Sequence, residues 1–331
     1  MRILALSPFD PSGISGNGTT LRRLREGFSA RGHGFRIVPV TAHTTVPELR
    51  SISAGCDLIL YYHAYKTGRF LPALTHRPSV VVLSGTDLNE CIDDPGHAPA
   101  VRAALAGATR LVTYNPSLAA RLMEYLPRAA SKLTVLPKGV TLGTAGFDLR
   151  GAAGLPPGRP VLFHPGGVRP VKNNLFAIDA LAPLRDRLAL VFAGPIHDPQ
   201  YGATFSTRVA AEPWTRHLPN IAPDAMAAAC RASDVVLNTS LSEGLSNALI
   251  EALAAGSAVL AAGVPGNRDL LGDGAAGLLY RDLGDLRAKT RRLLDHPAER
   301  ASLGAAGREF ALRRFSTDRE VEALLSVCRR V

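Results

Sequence analysis

The sequence predicts an α/β protein made of two successive units, each a parallel sheet covered by helices on both faces. Short aliphatic runs alternate with amphipathic helical patterns along the chain. The 331 residues suit two domains at about 150 residues each. A stretch rich in Gly and Pro without clear periodicity, residues 143–160, predicts a linker between them.

In the first half, β-branched and aliphatic runs indicate strands, and apolar residues three or four apart indicate helices. The predicted strands are Ile3–Ser7, Phe35–Val40, Leu58–Tyr61, Val80–Leu83, Leu111–Thr113 and Leu133–Leu136. The predicted helices are Thr19–Arg31, Pro99–Ala106 and Pro116–Tyr125. Ligands of such sheets bind beyond the carboxyl ends of strands, so we expect the function in loops that follow strands.

The alternation restarts after the linker. Its predicted strands are Val161–His164, Leu188–Ala193, Val235–Asn238, Ala258–Ala261 and Gly277–Leu279. Its predicted helices are Asn173–Leu184, Pro199–Ala211, Asp224–Arg231, Asn247–Ala255 and Asp285–Asp295, and Glu320–Val327 has an amphipathic pattern near the end.

Charge and composition narrow the function classes. Lys and Arg exceed Asp and Glu by 38 − 28 = 10, which predicts an anionic partner such as nucleic acid, a membrane face or a phosphorylated small molecule. No Lys/Arg block with interleaved aromatic residues is present, which disfavours a nucleic-acid binder. The four cysteines are widely spaced, and neither a membrane-spanning run nor a signal peptide is recognised. We therefore expect a cytoplasmic protein with reduced thiols.

Residues 240–256, SLSEGLSNALIEALAAG, contain two carboxylates at a helix start. Ser246 is a plausible N-cap and Gly256 a C-cap. Glu251 lies among Ala and Leu, where an unpaired carboxylate is costly, so a polar group should meet it. Glu243 precedes the helix in a loop whose backbone N–H groups suit an anionic ligand. The alternative is a surface salt-bridge pair.

Residues 164–181, HPGGVRPVKNNLFAIDAL, place cations before another helix. A Gly-rich turn with Gly167 leads into Arg169 and Lys172, the latter one of only five lysines. A diphosphate leaving group would meet both cations and the helix N-terminus. The alternative is a pair of solvated charges at a helix start.

Loops of the first half add weaker signals. Residues 11–20, PSGISGNGTT, carry Gly13, Gly16 and Gly18, which permit close backbone approach to a ligand. This is not GxGxxG, and no acidic residue follows the second strand, so dinucleotide binding is disfavoured. His63 and the segment GTDLNE, residues 85–90, also follow strands.

Together these segments resemble the retaining, nucleotide-sugar-dependent glycosyltransferases of family four, which have the GT-B fold. The E-x7-E element in SEGLSNALIEALAAG carries most of the resemblance. The stretch after His63, GTDLNE and VPGN are similar to a narrower group, the short glycosyltransferase 1 domain-containing proteins. The resemblance implies two doubly wound Rossmann-like domains with an interdomain cleft: residues 1–150 bind the acceptor, 151–312 bind the nucleotide sugar, and 313–331 form a helix that crosses back.

The resemblance also implies residue roles. Glu251 would bind the ribose, Glu243 and His63 the donor sugar, and Lys172 and Arg169 the diphosphate. Other donor-binding groups would be Gly244, Leu245, Ser246, Asn247, Gly167, Gly16, Asn17 and Gly18, and acceptor or phosphate contacts would be Thr86, Asp87 and Asn89.

The predicted function is transfer of a sugar, with retention, from a nucleotide diphosphate sugar (a UDP-sugar is favoured) to an unknown small-molecule or glycan acceptor. No cofactor or metal is expected, because cations replace the metal, and peripheral membrane contact stays open. The alternatives are a sugar-nucleotide epimerase or phosphorylase of the same fold, and a transferase that forms selenosugars or thiosugars.

Overall fold

A computed structural model describes residues 1–10 and 16–331. The chain divides into two compact units, Met1–Gly139 with Phe315–Val331, and Val140–Arg314. The division falls after residues 139 and 314, where the sequence predicted 150 and 312.

The segment predicted as a linker, residues 143–160, belongs to the second unit, which corrects that interpretation. Asp224 holds it: Thr144 N donates to Asp224 Oδ1 at 2.8 Å, and Ala145 N donates to the Asp224 carbonyl at 3.2 Å. A Cβ at Gly143 would lie 2.0 Å from that carbonyl oxygen, so the glycine permits close packing.

In its described residues the first unit has one six-stranded parallel sheet, in the order β2-β1-β3-β4-β5-β6. The strands are β1 (Arg2–Ser7), β2 (Gly34–Pro39), β3 (Leu58–Tyr62), β4 (Ser79–Val82), β5 (Arg110–Thr113) and β6 (Leu133–Val135). The helices are α1 (Gly16–Ser29), α2 (Val46–Ser53), α3 (Ala98–Gly107) and α4 (Pro116–Tyr125).

The second unit has a six-stranded parallel sheet in the order β12-β11-β10-β7-β8-β9. The strands are β7 (Val161–Pro165), β8 (Ala189–Ala193), β9 (Thr215–Leu218), β10 (Val235–Asn238), β11 (Val259–Ala262) and β12 (Leu278–Tyr280). The helices are α5 (Leu149–Ala152), α6 (Asn174–Leu181), α7 (Pro199–Ala211), α8 (Met226–Arg231), α9 (Asn247–Ala255), α10 (Pro265–Leu271), α11 (Leu283–Asp295) and α12 (Pro297–Arg314). The chain then returns to the first unit as α13 (Thr317–Cys328).

Both faces of the first sheet are buried, as expected of a parallel sheet covered by helices. Successive residues of β3 enter different cores: Ile59 belongs to the core that contains Leu49 of α2, whereas Leu60 belongs to the core that contains Leu21 of α1. The predicted doubly wound α/β class is therefore confirmed.

A buried ion cluster fastens α13 to the first unit. Arg23 donates from Nε and Nη2 to Glu320 Oε2 at 2.8 and 2.7 Å, and Lys138 Nζ lies 3.5 Å from Glu320 Oε1. The Lys138 ammonium also donates to Thr20 Oγ1 at 2.8 Å and lies 4.1 Å from the centre of the Tyr114 ring. The Glu320 side chain is fully buried, so it is a tightly held point of attachment.

Elements missing from the sequence prediction are short or lack a clear apolar period. Strand β9, TRHL, is mostly polar, and α2, α5 and α10 are short. Helix α12 buries glycines instead of large side chains: a Cβ at Gly304 would lie 2.3 Å from the Gly256 carbonyl, and one at Gly307 would lie 2.8 Å from the Ala276 carbonyl. Among the described residues, no helix is both long and apolar enough to cross a membrane.

Candidate functional site

Lys172, Glu243 and His63 follow strands at the points where each sheet reverses its direction of winding, whereas Thr86, Asp87 and Asn89 follow β4. In the second sheet, β7 lies between β10 and β8, so the loops after β7 and β10 diverge there. In the first sheet, β1 lies between β2 and β3. Crevices beyond the strand ends at such points are where α/β proteins bind ligands.

The loop after β7 forms a tight turn that carries Arg169 and Lys172. Gly166 has a φ of 144°, and a Cβ at Gly167 would lie 2.2 Å from His197 Cδ2, so this turn packs against the loop after β8. A short 3-10 segment, Pro170–Lys172, follows, and Asn173 is left-handed at φ 53°. Helix α6 therefore begins at Asn174, one residue later than predicted.

Lys172 and Glu243 meet directly. Lys172 Nζ lies 2.6 Å from Glu243 Oε1, with the two side chains 15% and 9% exposed. Arg169 is half-buried, and its Nε has no hydrogen-bond partner among the described residues. The structure thus brings together one predicted cation and one predicted carboxylate from loops 71 residues apart.

Glu243 is held by further polar groups of its own loop. Its Oε1 also accepts from Ser240 Oγ at 2.6 Å and from Asn238 Nδ2 at 3.0 Å. Burial alone would raise the pKa of Glu243, but the Lys172 charge and these hydrogen bonds outweigh burial and lower that pKa. The carboxylate is therefore ionised at neutral pH.

The backbone after Glu243 packs against the start of α10. A Cβ at Gly266 would lie 2.3 Å from the carbonyl oxygens of both Glu243 and Gly244, which explains the glycine in VPGN. The neighbouring Asn267 is fully buried, and its Nδ2 donates to Asn238 Oδ1 at 2.9 Å.

The helix predicted to follow Glu243 and to contain Glu251 is α9. It begins at Asn247, with Ser246 buried at the N-cap position and its hydroxyl making no capping bond. Gly256 ends it in the left-handed conformation at φ 85°, as predicted. Gly244, Leu245 and Asn247 are half-buried.

Glu251 lies in the middle of α9 and is half-buried. Burial, and after it the negative charge of Glu251, raise the pKa of the Cys230 thiol. The carboxylate therefore lies near the buried part of α8.

In the first unit, His63 follows β3 and is a buried structural centre. It has a φ of 98°, and its side chain is 1% exposed. Nδ1 accepts from Tyr65 N and Lys66 N at 3.1 and 3.2 Å, so Nε2 carries the proton and donates to Thr86 Oγ1 at 3.0 Å. Burial lowers the pKa of His63, which keeps the ring neutral. Its contact with a donor sugar stays a prediction.

Asp87 joins two loops through their backbones. Its fully buried carboxylate accepts from Ser84 N and Gly85 N at 3.1 and 2.9 Å, and from Ala64 N at 3.1 Å. The carboxylate oxygens thus accept from the backbone of both loops, and the expected acceptor or phosphate contact of Asp87 stays a prediction.

Two other predicted contacts lie beside Asp87. Thr86 is half-buried and accepts from His63, and Asn89 is half-buried in the π-helical turn Asp87–Cys91. Whether either residue touches acceptor or phosphate stays a prediction.

The Gly-rich loop after β1 is only partly described. Gly13 lies outside the described residues, and Gly16, Asn17 and Gly18 form the first turn of α1 and not the loop that was expected.

The described residues contain no group of three or more His, Cys, Asp or Glu side chains that could hold a metal ion. The expected metal independence stays a prediction.

Sequence reasoning missed the polar residues that hold Lys172 and Glu243 in place. Asn238 ends β10, Thr239 and Ser240 follow it, and all three are nearly fully buried, as is Asn267. Three consecutive polar residues directly after the aliphatic run VVL were the available signal. Polar residues at the carboxyl end of a buried strand are typical of a binding site.

Comparison with known proteins agrees with this architecture. Residues 176–326 match the model of the family described as Glycosyl transferase-like. Glycosyltransferase 1 domain-containing protein 1 of Xenopus tropicalis is 26% identical over 301 residues, which cover 86% of this chain and 85% of that protein. D-inositol 3-phosphate glycosyltransferase of Arthrobacter sp. (strain FB24) is 31% identical over 60% of this chain, which spans only 51% of that protein's length.

Solved structures share the fold at low sequence identity. Sucrose-phosphate synthase from Thermosynechococcus elongatus superposes with a TM-score of 0.86 at 19% identity, covering 100% of this chain and 99% of that one. HepE of Anabaena, in complex with UDP and glucose, superposes with a TM-score of 0.81 at 18% identity, covering 100% of both chains. The chain thus has the GT-B fold of these structures and is similar in sequence to glycosyltransferases.

Proposed function

We propose that the protein transfers a sugar, with retention of configuration, from a UDP-sugar to an acceptor without a metal ion. The observation that supports this most is the largely buried pair of Lys172 and Glu243, at the point where the second sheet reverses. The pair sets a cation for the diphosphate beside a carboxylate for the sugar hydroxyls. HepE, which shares the fold, was solved with UDP-glucose.

Charge stabilisation is the main catalytic effect in this proposal. As the bond between sugar C1 and the diphosphate oxygen breaks, negative charge grows on the diphosphate. Lys172 and Arg169 stabilise that charge more in the transition state than in the ground state. An ammonium has three N–H donors, so contact with Glu243 leaves donors for phosphate oxygens.

The acceptor oxygen attacks C1 on the face that the diphosphate leaves. Its proton passes to the departing phosphate oxygen, so the products are the glycosylated acceptor and UDP. Glu243 holds the sugar hydroxyls, and Glu251 binds the ribose hydroxyls of the nucleotide.

A thermal-shift screen of UDP-, GDP- and ADP-sugars tests the donor. Ligand at 100 times its Kd stabilises the folded state by about 2.7 kcal/mol, so a true donor raises the melting temperature by several degrees. We expect the largest shift with a UDP-sugar, undiminished by EDTA. A shift with GDP- or ADP-sugars alone contradicts the UDP assignment, and activity lost to EDTA and restored by Mg²⁺ contradicts metal independence.

Glu251→Ala tests the nucleotide site. Because a hydrogen bond to a charged group is worth roughly 1.5–3 kcal/mol, UDP affinity should fall about 10- to 100-fold, measured by calorimetry. Glu309→Ala is the matched control, since Glu309 is an exposed helical glutamate in the same unit. Unchanged affinity in Glu251→Ala would remove Glu251 from the site.

A further inference from the structure

A buried hydroxyl lies behind the Lys172 turn. Thr239 Oγ1 is 2.9 Å from the Lys172 carbonyl oxygen and 3.1 Å from that of Asn173. It is also 2.8 Å from His164 Nε2. Thr239 and His164 are each 1% exposed, so water does not compete for these bonds.

The pattern of donors fixes the direction of each bond. A hydroxyl has one proton, and both carbonyls only accept, so Thr239 donates to them. His164 Nε2 must then carry a proton and donate to Thr239 Oγ1. Burial, and after it the Lys172 charge, lower the pKa of His164 to about 4, so the ring stays neutral over the physiological range. The neutral His164 ring therefore adds no positive charge beside Lys172.

The hydroxyl is one part of a clamp on the whole turn. Leu241 N donates to the Val171 carbonyl at 2.9 Å, so three consecutive carbonyls, of residues 171–173, are held by residues 239 and 241. The clamp also restrains Asn173 in its left-handed conformation. The same short segment leads to Glu243, so it sets the position of both members of the ion pair.

We propose that Thr239, oriented by His164, is a positioning residue that fixes the Lys172 backbone so that its ammonium faces Glu243 and the donor diphosphate. The inference rests on the proposed function for its ligand. Thr239 itself touches neither donor nor acceptor in this scheme.

Three substitutions separate positioning from simple stability. Thr239→Val keeps the shape and removes the hydroxyl, and Thr239→Ser keeps the hydroxyl. Thr290→Val is the matched control, because Thr290 is equally buried and its hydroxyl donates to the Leu286 carbonyl in α11 of the same unit.

The readouts are affinities for UDP and for uridine, by calorimetry, and amide hydrogen exchange of residues 168–174. Thr239→Val should weaken UDP about tenfold, the effect expected of a misplaced charged contact, and leave uridine unchanged. Exchange of the turn should rise about tenfold, whereas Thr239→Ser and Thr290→Val should stay near wild type.

The other possible outcomes contradict either the positioning role of Thr239 or the proposed donor. Equal loss of UDP and uridine in Thr239→Val, or unchanged exchange of the turn, overturns the positioning role. Wild-type protein that does not bind UDP overturns the proposed donor, and the exchange data then decide on Thr239 by themselves.

Discussion

Lys172 lies at the centre of the candidate site, and its removal should reduce turnover more than binding. The loss of one donor to developing negative charge costs roughly 10²- to 10³-fold in kcat. We expect Lys172→Ala to lower kcat for UDP-sugar turnover within that range and to change donor KM much less. Lys289→Ala, which breaks a 2.9 Å ion pair with Asp285 in the same unit, should keep wild-type kcat. A large rise in KM with unchanged kcat would contradict the assigned role.

Individual residues were predicted unevenly from sequence. Lys172 and Glu243 were singled out as candidates, but their contact was not predicted, because it depends on β7 lying beside β10. The backbone donors that meet the Asp87 carboxylate were not predicted, because only the fold of the 84–87 loop decides which N–H groups reach it. The type of a residue predicts the chemistry that it can perform. Contacts between residues far apart in the sequence can be predicted only once the strand order is known.

Charged side chains attach helix α13 to the core of the first unit: Arg23 and Lys138 both meet Glu320 of α13. Burial lowers the pKa of Lys138 to about 7, with Arg23 also lowering it and Glu320 opposing them. Between pH 7 and about 10.5, the folded state has released this proton and the unfolded state still holds it. The unfolded state then binds more protons, so stability rises with pH across that window.

Lys138→Met should remove that rise. For one proton, the unfolding free energy rises with pH by at most about 1.4 kcal/mol per pH unit. The measurement is the difference in unfolding free energy between wild type and variant from pH 6.5 to 9. Lys289→Met, at a half-buried lysine of the second unit, should keep the wild-type slope. Identical pH profiles for wild type and Lys138→Met would contradict a depressed pKa at Lys138.

Elements with strong periodicity were predicted well. Helices α4, α7 and α9 and strand β10 have the predicted bounds. Helix α12 was missed because its buried face contains Gly304, Gly307 and Ala311, which leave little hydrophobic contrast between its faces. A helix that packs through glycines, backbone against backbone, is hard to detect from the hydropathy pattern.

At the scale of the whole molecule, the first unit is completed by the end of the chain. Val321, Leu324, Leu325 and Val327 of α13 are nearly fully buried in its core. Burial of each such side chain stabilises the fold by roughly 1.5–3 kcal/mol, so the combined contribution of the four is comparable to the total stability of a domain. The second unit, Val140–Arg314, contains no part of this helix.

A chain that stops after Arg314 should therefore lose the first unit and keep the second. Limited proteolysis should digest the first unit and leave a resistant fragment close to Val140–Arg314, identified by mass spectrometry. Glu322→Ala, at an exposed position of α13, should stay as resistant as wild type. Equal resistance of both units in the shortened chain would contradict this dependence.

The late arrival of α13 also constrains the order of events during synthesis. At about 5–20 residues per second, the ribosome takes roughly 10–35 s to make the 314 − 139 = 175 residues of the second unit. Throughout that interval the first sheet is present without the helix that covers part of one face, including Val80 and Val82. The unit that is translated first thus cannot complete its core until the last helix of the chain has been made.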